Sequence, residues 1–330
     1  MIGFDTVFAQ QSGRPETELP LVQYLESLAV RWGFAAQRLP VAGHAPNLLI
    51  IHQVNPAAPW LLFDSHLDTA GVEGMTIDPF RGQTIDGRVY GRGACDTKGS
   101  GAAMLWALQQ CAAGAGPGEP GANVAILFTV DEEHVKTGAR AFVQDQMRVL
   151  DWKPVGAVVG EPTSLRLVTA TNGVVRWRVR TEGVAAHSSD PAQGRSAISD
   201  MIRVIDAVES RYIPYLNACD CLTGKAQCSV NFIRGGSQVN IIPDECEIQV
   251  DRRVVPGEDP GQVLPAVERI LEDVARSRPG LRVSQHELVI DPPLDPATNG
   301  DFSAKVGRVL SGMNVNAEPV GVRYGSDASS

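Results

Sequence analysis

Residues 60–68 read W-L-L-F-D-S-H-L-D. A short apolar run ends in an aspartate, and a Ser-His-Leu-Asp string follows at once. The run has the length and apolar density of a strand buried on both faces. In open parallel sheets, polar residues just past the carboxyl end of such a strand face the ligand crevice. The same arrangement recurs. At 123–130 the run N-V-A-I-L-F-T-V leads into Asp131, Glu132 and Glu133, and at 155–159 V-G-A-V-V leads into Gly160, Glu161, Pro162 and Thr163. A further apolar run at 47–53 reads as a strand. Residues 20–32 repeat Leu21, Tyr24, Leu25, Leu28 and Ala29 at helical spacing, 99–111 reads as a buried helix, and 137–150 as another. A Gly/Pro loop is expected at 112–121. Strands alternating with helices predict an α/β fold with a mostly parallel, helix-covered sheet.

Past residue 166 the pattern changes. Residues 174–181, V-V-R-W-R-V-R-T, alternate apolar and polar as in a half-exposed strand. A helix follows at 196–210, strands at 228–234 and 245–251, a helix at 261–276 and a strand at 281–288. The order β-α-β-β-α-β is that of a ferredoxin-like sandwich with one open face. The expected organisation is therefore a catalytic domain from 1–166 and 289–330, with a smaller inserted domain at 167–288.

Composition excludes several classes. Of 330 residues, 43% are hydrophobic, enough for a real core. The net charge of -9 and the lack of any basic cluster argue against a nucleic-acid partner. No run is long enough to span a bilayer, residues 1–11 lack a leader pattern, and the expected location is the cytoplasm. The six cysteines fit no disulfide framework. Cys219, Cys221 and Cys228 admit a metal-knot reading but lack paired C-x-x-C knuckles, and reduced thiols are the simpler expectation.

Four segments carry metal-type ligands: His66 with Asp68; Asp96, within G-R-G-A-C-D-T-K-G at 91–99; Asp131-Glu132-Glu133; and Glu161. Each alone has an ordinary reading, as a hydrogen-bonded strand-end His, a solvated acidic turn or a Gly-rich turn. Together, mostly at strand ends, they point to a His and carboxylate site for a catalytic metal. Phosphate loops are excluded, because Lys98 precedes Gly99 and G-x-G-x-x-G is absent. No G-x-S-x-G elbow surrounds Ser65, Ser100 or Ser326. Cys95 reads as a small buried residue.

These motifs, with A-H-S-S-D-P at 186–191 and N-I-I-P-D-E-C-E-I-Q-V-D-R-R at 240–253, resemble a family of zinc amidohydrolases and metallopeptidases. That family contains acetylornithine deacetylase, succinyl-diaminopimelate desuccinylase, aminoacylase and glutamate carboxypeptidase. The resemblance covers nearly the whole chain. It implies two zinc ions per subunit, with cobalt or manganese as substitutes. His66, Asp96 and Glu161 would hold the first, and Asp96 would bridge to a second held by Glu133. Glu132 would be the general base, and Asp68 would take the other imidazole N–H of His66. The inserted domain would serve as lid and homodimer surface, with His187 reaching the partner's site. Asn240 and Arg253 would grip the substrate carboxylate. Alternation places Arg252 on the opposite face from Arg253.

The family also needs a His near its C-terminus, and no His follows His286 here. His134 directly follows Glu133 and is expected to aim elsewhere. The chain is thus expected to be clipped at both ends of the catalytic domain, binding the first zinc well and the second poorly. The leading activity is hydrolysis of an N-acyl amino acid, acetylornithine first. Desuccinylation of N-succinyl-diaminopimelate or dipeptide cleavage comes second. A non-catalytic dimeric binding relative remains open, its test being Glu132. A calcium cluster fits poorly, because His66 is an unusual ligand for a hard cation.

Overall fold

The computed structural model describes residues 1–114 and 121–330. Most of the loop expected at 112–121 lies outside them. The first layer contains α1 (Leu19–Arg31), β1 (Ala35–Leu39), β2 (Asn47–His52), β3 (Trp60–His66), α2 (Lys98–Ala112), β4 (Asn123–Thr129), α3 (Thr137–Gln144), β5 (Pro154–Val159) and β6 (Val168–Thr171). The main sheet has the order β1-β2-β4-β3-β5. β4 is parallel to β3 and β3 to β5, whereas β2 is antiparallel to both β1 and β4. Only β2 therefore runs against the rest, and the mostly parallel expectation holds.

The apolar runs form central strands because both of their faces are covered. In β4, Ile126 and Phe128 pack with Leu21 and Leu25 of α1 and Leu105 and Leu108 of α2. Ala125 and Leu127, pointing the other way, pack with Leu62 and with Phe142 of α3. Burying each such Leu, Ile or Phe stabilises the fold by about 1.5–3 kcal/mol. Close approach of α2 needs Gly101, where a Cβ would sit 2.8 Å from Phe128 and 2.9 Å from the Ser65 hydroxyl.

A second layer follows: β7 (Gly173–Glu182), α4 (Ala197–Arg211), β8 (Gln227–Gly235), β9 (Glu245–Val254), α5 (Val263–Ser277) and β10 (Arg282–Asp291). The expected β-α-β-β-α-β order is present, as an antiparallel sheet of order β8-β9-β7-β10. Val175, Trp177 and Val179 point into a core with Met201, Val204, Val267 and Leu271 from the two helices. The alternate residues Arg176, Arg178 and Arg180 lie on the other, more open face. Finally α6 (Pro296–Gly312) and β11 (Val320–Val322) return to the first layer, where β11 runs parallel to β6. We place the two crossings between layers at Asn172–Gly173 and Asp291–Pro292. They adjoin: a Cβ on Gly173 would lie 2.4 Å from the Asp291 carbonyl oxygen.

Among the departures from the sequence reading, beside the unforeseen β6, α6 and β11, two have a plain cause. The helix expected over 137–150 stops at Gln144; Asp145 leaves helical geometry, and Gln146–Val149 is a 3-10 turn. Asp competes with helical hydrogen bonding, and Gln146 is drawn away by bonds with Asn47 and the Pro40 carbonyl. β1 was not expected, since A-A-Q-R-L lacks strand periodicity; it forms by pairing with β2. Among the described residues no helix is long and apolar enough to cross a membrane.

Candidate metal centre

His66 is the last residue of β3 and is 2% exposed. Glu161 follows β5, and Asp96 lies just before α2. Single ligand atoms of His66, Asp96 and Glu161 all fall within 4.8 Å of one another. It is the one such group of His, Cys, Asp or Glu among the described residues. The sequence reading named these three, and the fold brings them together. One imidazole and two carboxylates, with room for water, make a donor set suited to a catalytic divalent metal.

The electrostatics fit the same conclusion. Glu161 is pushed up to about 8, first by burial, with Asp96, Asp327 and Glu133 adding repulsion. Glu132 is pushed up to about 9, by burial and then by Asp327. Glu133 is raised by burial and by Asp96. His66 and, for Glu132, Lys136 offset this repulsion only in part, and a bound cation would offset more of it. Burial alone would lower His66. Its hydrogen bonds to Asp68 and Asp96 outweigh that and raise it well above the usual range. Its Nε2 lies 3.0 Å from Asp96 Oδ1.

Asp68 differs in detail from the expectation. His66 Nδ1 lies 3.0 Å from the Asp68 carbonyl oxygen and 3.5 Å from its carboxylate. At that separation the main chain, rather than the side chain, is the better acceptor for the ring N–H. The Asp68 carboxylate instead accepts from the backbone N–H of Glu132 at 3.1 Å and of Glu133 at 2.9 Å. It clamps the acidic loop against β3. Burial pushes its pKa up, but the nearby His66 ring and these two amides hold it below the ordinary value. The loop needs holding: Asp131 and Lys136, at its two ends, have φ of 62° and 59°. Such left-handed backbone costs a non-glycine residue of the order of 1 kcal/mol.

Other expected residues are dispersed. Glu133 stands outside the three-ligand group and accepts from the Ala70 N–H at 2.9 Å. His134 is indeed aimed elsewhere, stacked on Phe8 and 3.7 Å from Asp131. Arg253 lines a cleft of about 130 Å³ with Glu132 and Glu133. Arg252 points the opposite way, buried and paired with Glu258. His66, Asp96 and Glu161 do not line this cleft, although Glu132, which does, feels the charges of His66 and Glu161. His187 and Asn240 do not line it either: His187 is exposed and bonded to Ser189, and the Asn240 carbonyl accepts from Ser188. Cys95 is exposed, not buried, and Cys219 and Cys221 are free and exposed.

Several residues escaped the sequence reading. Asp64 is buried with neither carboxylate oxygen hydrogen-bonded, and burial and Asp327 raise it well above the usual range. Asp327 accepts from Thr129 at 2.8 Å, which ties the C-terminal turn beneath the centre. Asp64 sits within an apolar strand and Asp327 lies 198 residues from Thr129, so no local signal marks either. Lys136 is buried and bonds Asp291 and the Ser326 carbonyl.

Comparison with known proteins agrees with this geometry. The model for Peptidase family M20/M25/M40 matches residues 62–330. An acetylornithine deacetylase from Myxococcus xanthus is 30% identical over 337 residues, spanning 99% of this chain and 83% of that protein. The solved aminopeptidase PepT from Bacillus cereus superposes with a TM-score of 0.75 at 21% identity, over 99% of this chain and 83% of its own. A dinuclear metal-binding peptidase of the M20 family from Bacillus subtilis superposes at 0.65 with 15% identity, over 96% and 81%.

Proposed function

Because this chain belongs to peptidase family M20/M25/M40, a family of metal-dependent hydrolases, we propose that it hydrolyses the amide bond of a small N-acyl amino acid. The acetylornithine deacetylase relative supports a deacylase over a longer-peptide cleaver. The observation that carries the reading is the convergence of His66, Asp96 and Glu161, with Glu132 close enough to feel the charges of His66 and Glu161.

His66, Asp96 and Glu161 would hold one zinc, and Glu133 would join Asp96 at a second. The metal supplies Lewis acidity, polarising the scissile carbonyl and easing deprotonation of water. Glu132 takes the proton from the attacking water and delivers it to the leaving amine. Its high proton affinity in the metal-free chain falls toward the useful range once positive charge is near. Asp68 fixes the position of Glu132 through the backbone amide. Arg253, on the far wall, donates to the substrate carboxylate and sets the amide over the centre. The β7–β10 layer acts as lid and homodimer surface. The exposed His187, outside its own chain's cleft, is suited to reach a second copy's oxyanion.

The test is hydrolysis of a panel of N-acetyl amino acids, N-succinyl amino acids and dipeptides with zinc or cobalt added. Glu132→Gln should abolish turnover and leave metal content unchanged. Equal rates for the wild type and Glu132→Gln would overturn the proposal.

A further inference from the structure

Four cations line the cleft beside Glu132: Lys136, Arg140, Arg176 and Arg253. Two carboxylates anchor them. Asp291 accepts from Lys136 at 2.5 Å and from Arg140 at 3.4 Å. Asp251 accepts from Arg176 Nε at 2.8 Å and from Arg253 Nε at 2.7 Å. Asp251 and Arg176 are direct cross-strand partners, and Arg253 lies two residues along on the same face. Glu132 and Glu133 line the same cleft, so cations and carboxylates are equal in number, and what distinguishes the site is which donors remain free. Lys136 is buried and saturated by Asp291, Ser326 and Ser329. The free donors are therefore on the arginines. Arg176 uses only Nε among the described residues, leaving both terminal nitrogens open. Arg140 binds the Ile290 carbonyl and Asp291 through one nitrogen, Nη2.

Resting on the amide-hydrolysis reading, we propose that this cleft selects substrates carrying two carboxylates: one is bound by Arg253, the second by Arg176 together with Arg140. An acidic amino-acid side chain or a dicarboxylic acyl group would provide the second. Val135, Val174 and Val289 line the space between these groups and suit the intervening methylenes. A cationic side chain placed beside Arg176 and Arg140 meets like charge there, which disfavours it. An acetylornithine-type substrate is thus a poorer fit than its acidic counterparts.

Two measurements test this. The first is calorimetric binding to the metal-loaded Glu132→Gln protein, comparing N-acetylglutamate, N-acetylglutamine and N-acetylornithine. The glutamate compound should bind about ten- to a hundredfold more tightly than the other two, and Arg176→Gln or Arg140→Gln should remove most of that difference. The second is turnover of the same three compounds. Arg176→Gln should raise KM for the acidic substrate about tenfold more than for the neutral one. Both arginines are partly exposed, so either variant should fold. Equal binding of all three compounds, or a preference that survives both substitutions, overturns the proposal. Hydrolysis of neutral or cationic amides without preference defeats this inference alone. Failure to hydrolyse any amide defeats the parent reading.

Discussion

Lys136 Nζ lies 2.5 Å from Asp291 Oδ2, joining the loop that carries Glu132 and Glu133 to the last residue of β10. The same ammonium donates to the Ser326 carbonyl at 2.7 Å. Three stretches far apart in sequence thus meet at one charge, beneath the cleft. Lys136→Met leaves Asp291 buried with only the longer contacts to Arg140 and Ser329. Breaking a buried pair from one side should cost about 3 kcal/mol in urea unfolding. The double variant Lys136→Met/Asp291→Asn should recover part of that loss, since no buried charge is then stranded. A single variant as stable as the wild type would show the pair to be unimportant.

Removing the Asp68 carboxylate should separate chemistry from folding. Asp68→Asn keeps the volume but turns one acceptor into a donor facing the amides of Glu132 and Glu133. Turnover should fall about 10–100-fold, as for other groups that orient a metal site. The fall should appear in kcat more than in KM. An unchanged kcat would mean the loop holds its shape without the clamp.

Stability of the metal-free chain should decrease with rising pH. Glu18 is pushed up to about 7 by burial and then by Asp68. Glu161 and Glu132 reach about 8 and 9. An ordinary Glu titrates near 4.5, so between these limits the folded state holds more protons than the unfolded. The stability they confer is complete below about 4.5 and lost as pH rises through 7 to 9. Glu18→Gln should therefore stabilise the protein at pH 9 by on the order of 2–3 kcal/mol and change little at pH 4. Thermal melts across that range decide it. A melting temperature that climbs with pH would contradict the sign.

Zinc should act in the opposite direction. It binds only the folded, deprotonated donor set, so at a hundredfold excess over Kd it should add about 2.7 kcal/mol. Chelation should reverse the gain, and His66→Ala should abolish it. Proton release on binding should appear as a buffer-dependent calorimetric enthalpy. Stoichiometry after gel filtration should be near one tightly held ion per chain, because one complete ligand group converges. Two tightly held ions would show that Glu133 and Asp96 suffice for the second.

The ligand trio was legible because its members sit at or just beyond chain features with strong local signals. His66 and Glu161 end apolar strand runs, and Asp96 closes a glycine-rich turn. The inserted sheet was legible through alternation, as in 174–181. What was hidden depends on partners distant in sequence. Asp327 meets Thr129 across 198 residues, and Lys136 meets Asp291 across 155. β1 has no periodicity of its own and exists because β2 offers an edge. Arg176 looked like one more solvent-facing residue of an alternating strand, until the cross-strand register put it beside Asp251 and Arg253.

The chain leaves the first layer at Gly173 and re-enters it after Asp291, and these two points touch. Residues 173–291 are therefore spliced into the chain at a single place, as a cassette is, although the turn at Leu222 and Thr223 also packs on Gly321 and Arg323. Swapping that cassette between relatives would replace Arg176 and Arg253 while leaving His66, Asp96, Glu132 and Glu161 where they stand. With the roles proposed above, a lineage could in this way change what its enzyme accepts in a single recombination, without rebuilding the proposed metal centre.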